Sequence, residues 1–469
     1  MPPYTLSRRS FGAALAGVVG LVALGACAED SASAGGSTTA TAGSGLFDAT
    51  QVHDIEFTFE QADYDAMVDA YLASSDKKWI EATVTIDGSK FEKAGLRLKG
   101  NSTLRGLTKA GATASTESDN RGGGGGPGGS LSSDKPQDLP WMVRLDKYVD
   151  GQALGDYSEF VVRSNNSESA LNEAVALELL GVAGLATQKS VSTRLSVNGG
   201  DEVLRLIIEN PSDQWDAANF SGAGILYKAE ANGDYSYRGD TAEDYTDVFD
   251  QESDSDNVNF APLAAFLKFI NQSDDATFGS DLGKHLDTGA FATYLAFQEL
   301  IKNSDDIDGP GNNSYLRYTT SKDQFTVVAW DHNLAFGGMG GGGGNRGGGG
   351  QQPPNGGAMP SGAPQQQGDG GQAQGGGQAQ GGGQQQGNRG GGGRMGGKSN
   401  ILVTRFNANT TFKKAYETAL TDLKASLYTS GKAAEILQTR AAVLTAKASD
   451  LVSADTITSE ADGIKANFS

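Results

Sequence analysis

The feature that most constrains this chain is a run from about Gly337 to Lys398, built of glycine, glutamine, asparagine and proline with almost no apolar residue. Such a composition cannot bury enough apolar surface to offset its ordering entropy, so it is expected to be a disordered Gly/Gln-rich insertion. Periodic sequence resumes after it. Phe412, Tyr416, Leu420, Leu423 and Leu427 recur at helical spacing, and a second helix is expected from Ala433 to Leu451. An apolar stripe needs a core to lie against. The run is therefore expected to interrupt one domain, whose parts are residues 47–336 and 399–452.

Before the insertion, helix and strand patterns are mixed. Phe59 to Leu72 and Glu168 to Val182 read as helices; Ile80 to Ile86, Leu96 to Lys99, Trp141 to Leu145, Tyr157 to Arg163, Ser190 to Val197, Val203 to Glu209 and Ile225 to Glu230 read as strands. Helices then dominate, at Ala261 to Ile270 and Thr288 to Lys302. Strands first and helices second predict an α+β fold with a β-rich N-terminal half and a mainly helical C-terminal half in two lobes.

The only cysteine, Cys27, closes Leu24-Gly25-Ala26-Cys27, which follows Arg8-Arg9 and an apolar run from Ala13 to Leu24. Residues 1–27 read as a twin-arginine lipoprotein signal, with Cys27 acylated and the chain exported and held at the outer face of a membrane. The apolar run falls short of the roughly 20 residues a spanning helix needs. With no other thiol, neither disulfides nor thiolate chemistry can support the rest. Residues 28–46, rich in Ser, Ala, Gly and Thr, read as a flexible tether, and Arg121 to Gly129 as a glycine-rich loop. A net charge of -20 argues against nucleic acid as a partner, because phosphate backbones require clustered Lys and Arg.

The chemistry concentrates between Asn303 and Gly337. Asp305, Asp306 and Asp308 follow a helix, then come Asn312, Asn313 and Tyr315, two strands, and Asp331 at the end of the second strand. Carboxylates roughly 25 positions apart and bridged by a hairpin can converge on one divalent cation, as in phosphoryl-transfer sites. A solvated Asp/Gly/Pro turn is the plainer reading of the first group, and a calcium loop a third, although no bidentate Glu closes it. His332 reads as packed or facing water, and Lys228 as a possible structural partner of Glu209 or Glu230.

Four motifs occur in order: Arg97-Leu98-Lys99-Gly100-Asn101-Ser102-Thr103, Leu226-Tyr227-Lys228, Asn312-Asn313-Ser314-Tyr315, and Trp330-Asp331 through Phe336-Gly337. Together they resemble the CotH family, the spore coat protein H type of atypical kinase. The resemblance implies a protein-kinase-like two-lobed fold that binds ATP with magnesium, or manganese, and phosphorylates serine or threonine of an exported or surface protein. It implies Asp305 or Asp308 as the catalytic carboxylate, and Asp331 with Asn312 or Asn313 as metal ligands. The nucleotide-facing set it implies is Arg97, Lys99, Asn101, Arg144, Lys228 and Glu209. Three departures stand out. Asn333 replaces an acid, Glu168 and Asn172 stand where Asp and Arg are common, and Arg144 replaces Lys. The loss of an acid at Asn333 supports an alternative, a kinase-like binding or adhesion module without turnover.

Overall fold

The computed structural model describes residues 45–101, 103–109, 131–337 and 399–469. Cys27 with its signal sequence, nearly all of the tether, the glycine-rich loop and all but the first residue of the insertion lie outside the described residues. Among the described residues no helix is long and apolar enough to cross a membrane.

Ile80, Ala82, Val84 and Ile86 are buried and alternate with more exposed residues, the period-two pattern of a strand with one face in a core. Seven strands close on themselves: β1 (Val52–Thr58), β2 (Ile80–Ile86), β3 (Ser89–Leu98), β4 (Trp141–Arg144), β5 (Glu159–Val162), β6 (Ser190–Val197) and β7 (Val203–Ile208). Their order is β1-β2-β3-β4-β5-β7-β6. The barrel closes where β6 lies parallel to β1, with Val52 opposite Ser192 and Phe57 opposite Val197. Phe57, Leu96, Trp141, Val143, Phe160 and Val162 fill the interior. Helix α1 (Gln61–Ser74) adds Tyr64, Met67, Val68 and Tyr71, one stripe at helical spacing. Truncating one of these aromatics to alanine would cost about 3–5 kcal/mol.

The residues between the inward ones are also apolar. Met142, Val161, Leu206 and Ile208 point out of the barrel into a second core with Leu226, Tyr315, Val328 and Trp330. Burial on both faces explains the consecutive apolar residues Trp141–Val143, Phe160–Val162 and Leu206–Ile208 in β4, β5 and β7. The partner surface is an antiparallel sheet of β8 (Gly224–Ala229), β9 (Phe249–Gln251), β10 (Ser314–Thr319) and β11 (Gln324–Ala329), ordered β11-β10-β8-β9.

The far face of this sheet, with Tyr227, Leu316 and Val327, meets the helices. These are α2 (Leu171–Val182), α4 (Ala261–Gln272), α5 (Asp275–His285), α6 (Thr288–Leu300), α7 (Ile401–Ala408), α8 (Thr410–Leu423), α9 (Lys432–Lys447) and α10 (Ala454–Lys465); short α3 (Asp213–Asn219) packs Trp215 into the barrel-side core. Phe336, before the insertion, and Leu402, after it, share one core.

The β-rich first half and helical second half are as the sequence predicts. The first half, however, is a closed seven-stranded barrel, which is not clearly one lobe of a kinase-like two-lobed fold. Closure depends on β1, whose polar positions His53, Asp54 and Glu56 masked its alternation, and on its pairing with a strand far away in sequence.

Candidate active site

Strands β3 and β5 are both antiparallel to β4, so their C-terminal ends reach the same rim of the barrel. They deliver Lys99, Gly100 and Asn101, and Arg163 and Ser164. Strands β8 and β11 are both antiparallel to β10, and their ends deliver Lys228 to Glu230 and Trp330 to Asp331. All of these residues line one cleft of about 360 Å³, together with Asp305, Pro310, Gly311 and Asn313. Asn101 spans its mouth, accepting from Lys77 Nζ at 2.6 Å and donating to Glu230 Oε2 at 3.2 Å.

One wall is cationic. Lys77, Arg97, Lys99 and Lys228 gather there in a chain whose net charge is -20. Lys228 is held by Glu230. Lys99 Nζ donates to Asn210 Oδ1 at a long 3.4 Å and lies 5.9 Å from the Trp330 ring centre. Burial and the like charges of Lys228, Arg97 and Lys77 push the Lys99 ammonium down to about 8, against the pull of Glu252. Burial and the cations Lys228 and Arg97 likewise bring Lys77 to about 8. Arg97 leans 5.0 Å over the Trp79 ring, and its buried Nε has no hydrogen-bond partner among the described residues. Glu230, Asp250 and Glu252 line the same cleft and partly offset these cations, which together make a candidate anion site.

The other wall is acidic. Asp331 takes the left-handed backbone (φ 60°) directly after β11, a conformation costly for most residues and tolerable for Asp. Arg163 binds its carboxylate and donates from Nε to Glu173 Oε2 at 3.0 Å. Burial opposes the charge on Arg163, but Asp331 and Glu173 on either side hold it firmly protonated. Asp305 accepts the Gly311 N–H, and a Cβ at that glycine would lie 2.6 Å from Asp305 Oδ2 and push the carboxylate aside. Burial raises the Asp305 carboxyl, and the charge of Asp331 raises it further.

The adjacent asparagines part company. Asn313 lines the cleft and donates to the Asp305 carbonyl at 2.9 Å, whereas buried Asn312, at φ 52°, turns its amide to the Glu230 carbonyl at 3.2 Å. Asp308 also faces elsewhere, accepting the Asn400 N–H at 2.6 Å where the chain re-enters the core. Arg144 is outside the cleft lining and pairs with Asp146 at 2.9 Å. Glu209 is outside it too, buried against the Lys189 N–H at 2.7 Å. His332 is fully buried, with Nε2 3.2 Å from Gln298 Nε2, and burial lowers it to about 4. Thus Arg97, Lys99, Asn101, Lys228, Asp305, Asn313 and Asp331 come together, and Asn312, Asp308, Arg144 and Glu209 do not.

Sequence reasoning overlooked Arg163, Glu173 and Lys77. The available signal was a cation ending an apolar strand, with an acid ten residues on in the apolar helix that follows.

Among the described residues no group of three or more His, Cys, Asp or Glu is placed to hold a metal. A magnesium site needs less. It takes one or two carboxylates plus an amide oxygen and leaves the remaining positions to water and phosphate. Asp331 and Asn313 supply such donors, and the repulsion between Asp331 and Asp305 is the kind a cation relieves.

The family model described as CotH kinase protein matches residues 121–456. Comparison with curated proteins found no match.

Proposed function

The chain belongs to the CotH kinase protein family, and on that premise we propose that it moves the terminal phosphate of ATP to a serine or threonine hydroxyl of an exported or surface protein. In this reading the barrel and the sheet-and-helix part act as the two lobes of a kinase-like fold. The observation that carries it is the cationic wall of Lys77, Arg97, Lys99 and Lys228 facing Asp305 and Asp331 across one cleft.

Lys99 and Lys228 bind the phosphates, and Arg97 adds charge behind them. Asp305 accepts the proton of the attacking hydroxyl; its raised affinity for protons suits a base that must take one during transfer. The hydroxyl oxygen bonds to the terminal phosphorus as the bridging oxygen departs with ADP. Asp331 and Asn313 would hold magnesium or manganese, which when bound neutralises phosphate charge. Trp330 closes the floor and excludes water.

We also propose that the chain is exported and tethered through lipid on Cys27; support comes from the paired arginines and the Leu24–Cys27 motif. A second reading, a binding module without turnover, is favoured by Asn333 in the cleft lining and by the hold of Arg163 on Asp331.

The test uses the full chain with labelled ATP and magnesium. Label should pass to the chain or to a co-purified surface protein, and Asp331→Ala should abolish it. Undiminished labelling by Asp331→Ala would overturn the site assignment. Absence of magnesium-dependent nucleotide binding in calorimetry would support the second reading, and tight binding would count against it.

A further inference from the structure

Glu460 lies on α10, past residue 456 where the family match ends. Its carboxylate reaches across to the loop before α2 and accepts the N–H of Glu168 and that of Ser169, each at 3.0 Å, along with the Ser169 hydroxyl. Ser169 is buried, and its Oγ in turn accepts the N–H of Leu171, the first residue of α2, at 3.3 Å. Helix α2 needs this help. Its N-cap position is Ala170, in the left-handed region (φ 53°), with no side chain to satisfy the free amides. A carboxylate at this end also complements the helix dipole.

The first turn of α2 bonds to residues that line the cleft. Asn172 Nδ2 donates to the Asn333 carbonyl at 2.5 Å, and Glu173 holds Arg163, which holds Asp331. The residues following α10 reach the same segment from its other end. Asn467 donates to the Phe336 carbonyl at 3.4 Å, and Phe468 packs edge-on to Phe336 with ring centres 5.7 Å apart. Phe336, like Asp331, has left-handed backbone (φ 60°). Both strained ends of the 331–336 segment are therefore secured by groups that α10 carries or anchors.

We infer that α10 braces the cleft and that Glu460 is a positioning residue, acting through the first turn of α2 on Arg163 and Asp331. It touches no reacting atom. Its carboxylate fixes where α2 begins, and thereby where Asn172 and Glu173 can reach. The catalytic consequence rests on the kinase reading; the mechanical one does not.

The experiment compares Glu460→Gln, Glu460→Ala and Glu460→Asp in the full chain by hydrogen exchange and by phosphotransfer kinetics. Gln keeps the shape and one acceptor oxygen, so a folded variant is secured even where Ala fails to fold. Loss of the charge-assisted bonds should speed amide exchange roughly tenfold at 171–174 and also at 331–336, leaving the barrel strands unchanged. In turnover, kcat should fall more than KM for ATP rises, and Asp should recover part of it. Exchange that rises only at 167–171, or that rises equally in the barrel, would overturn the inference. An unaltered chain without turnover would defeat the kinase reading alone, since the exchange result still decides whether Glu460 reaches Asp331.

Discussion

Replacing Lys99 by methionine should make the protein more stable and a poorer nucleotide binder. The ammonium lies in the cleft wall among Lys77, Arg97 and Lys228, and its value falls from 10.5 to about 8. At about 1.4 kcal/mol per pKa unit, keeping it charged in the folded state costs at most about 3 kcal/mol. Cleft water reaches part of the side chain and reduces this. Losing the 3.4 Å contact with Asn210 and the approach to Trp330 subtracts roughly 1 kcal/mol. The net gain of about 2 kcal/mol should raise Tm by roughly 4 °C near pH 7. The folded-state value lies below the unfolded one, so the cost is fully present below about pH 8 and fades as pH rises toward 10.5. The advantage of the variant should therefore shrink near pH 10. A charged hydrogen bond to phosphate is worth about 1.5–3 kcal/mol, so magnesium–ATP should bind roughly 10- to 100-fold more weakly. Scanning calorimetry at both pH values and titration calorimetry test the pair of effects. A lower Tm near pH 7, or unchanged affinity, would refute the view of Lys99 as a strained cation kept for an anion.

Gly311→Ala should place a Cβ 2.6 Å from Asp305 Oδ2 and displace that carboxylate, lowering kcat roughly 10- to 100-fold while circular dichroism stays unchanged. Arg163→Met leaves buried Glu173 without its cation and should cost about 3–5 kcal/mol in urea unfolding, much of it recovered by adding Glu173→Gln. Asn333→Asp restores an acid to the cleft lining and should tighten magnesium binding roughly tenfold in the presence of nucleotide, read by titration calorimetry; an unchanged affinity would show that position 333 does not face the metal.

Much of the secondary structure was readable locally. The strands Ile80–Ile86 and Ser190–Val197 begin and end where alternation predicts, and the stripe from Phe412 becomes α8 with a π-helical continuation at Lys424–Thr429. Strand β1 was not legible, because an apolar residue between charged ones carries little weight in isolation and its partners, β2 and β6, lie elsewhere in the chain. Helix α10 was missed because its apolar contribution to the core is largely Ile457 and Ile464.

The ordered motifs around Lys99, Lys228, Asn313 and Asp331 announced the family, since residue type and spacing are properties of the chain itself. They could not choose between Asp305 and Asp308, or between Asn312 and Asn313. Backbone geometry separates their positions: Asn313 lines the cleft while left-handed Asn312 turns to the Glu230 carbonyl, and Asp305 lines the cleft while Asp308 caps the returning chain. Sequence by itself determined many of the elements, the α+β character and which functional groups are present. Only the tertiary structure decided that Arg163, between Glu173 and Asp331, belongs to the site, because an ion pair linking a barrel rim, a helix and a sheet edge exists only once those three surfaces have packed together.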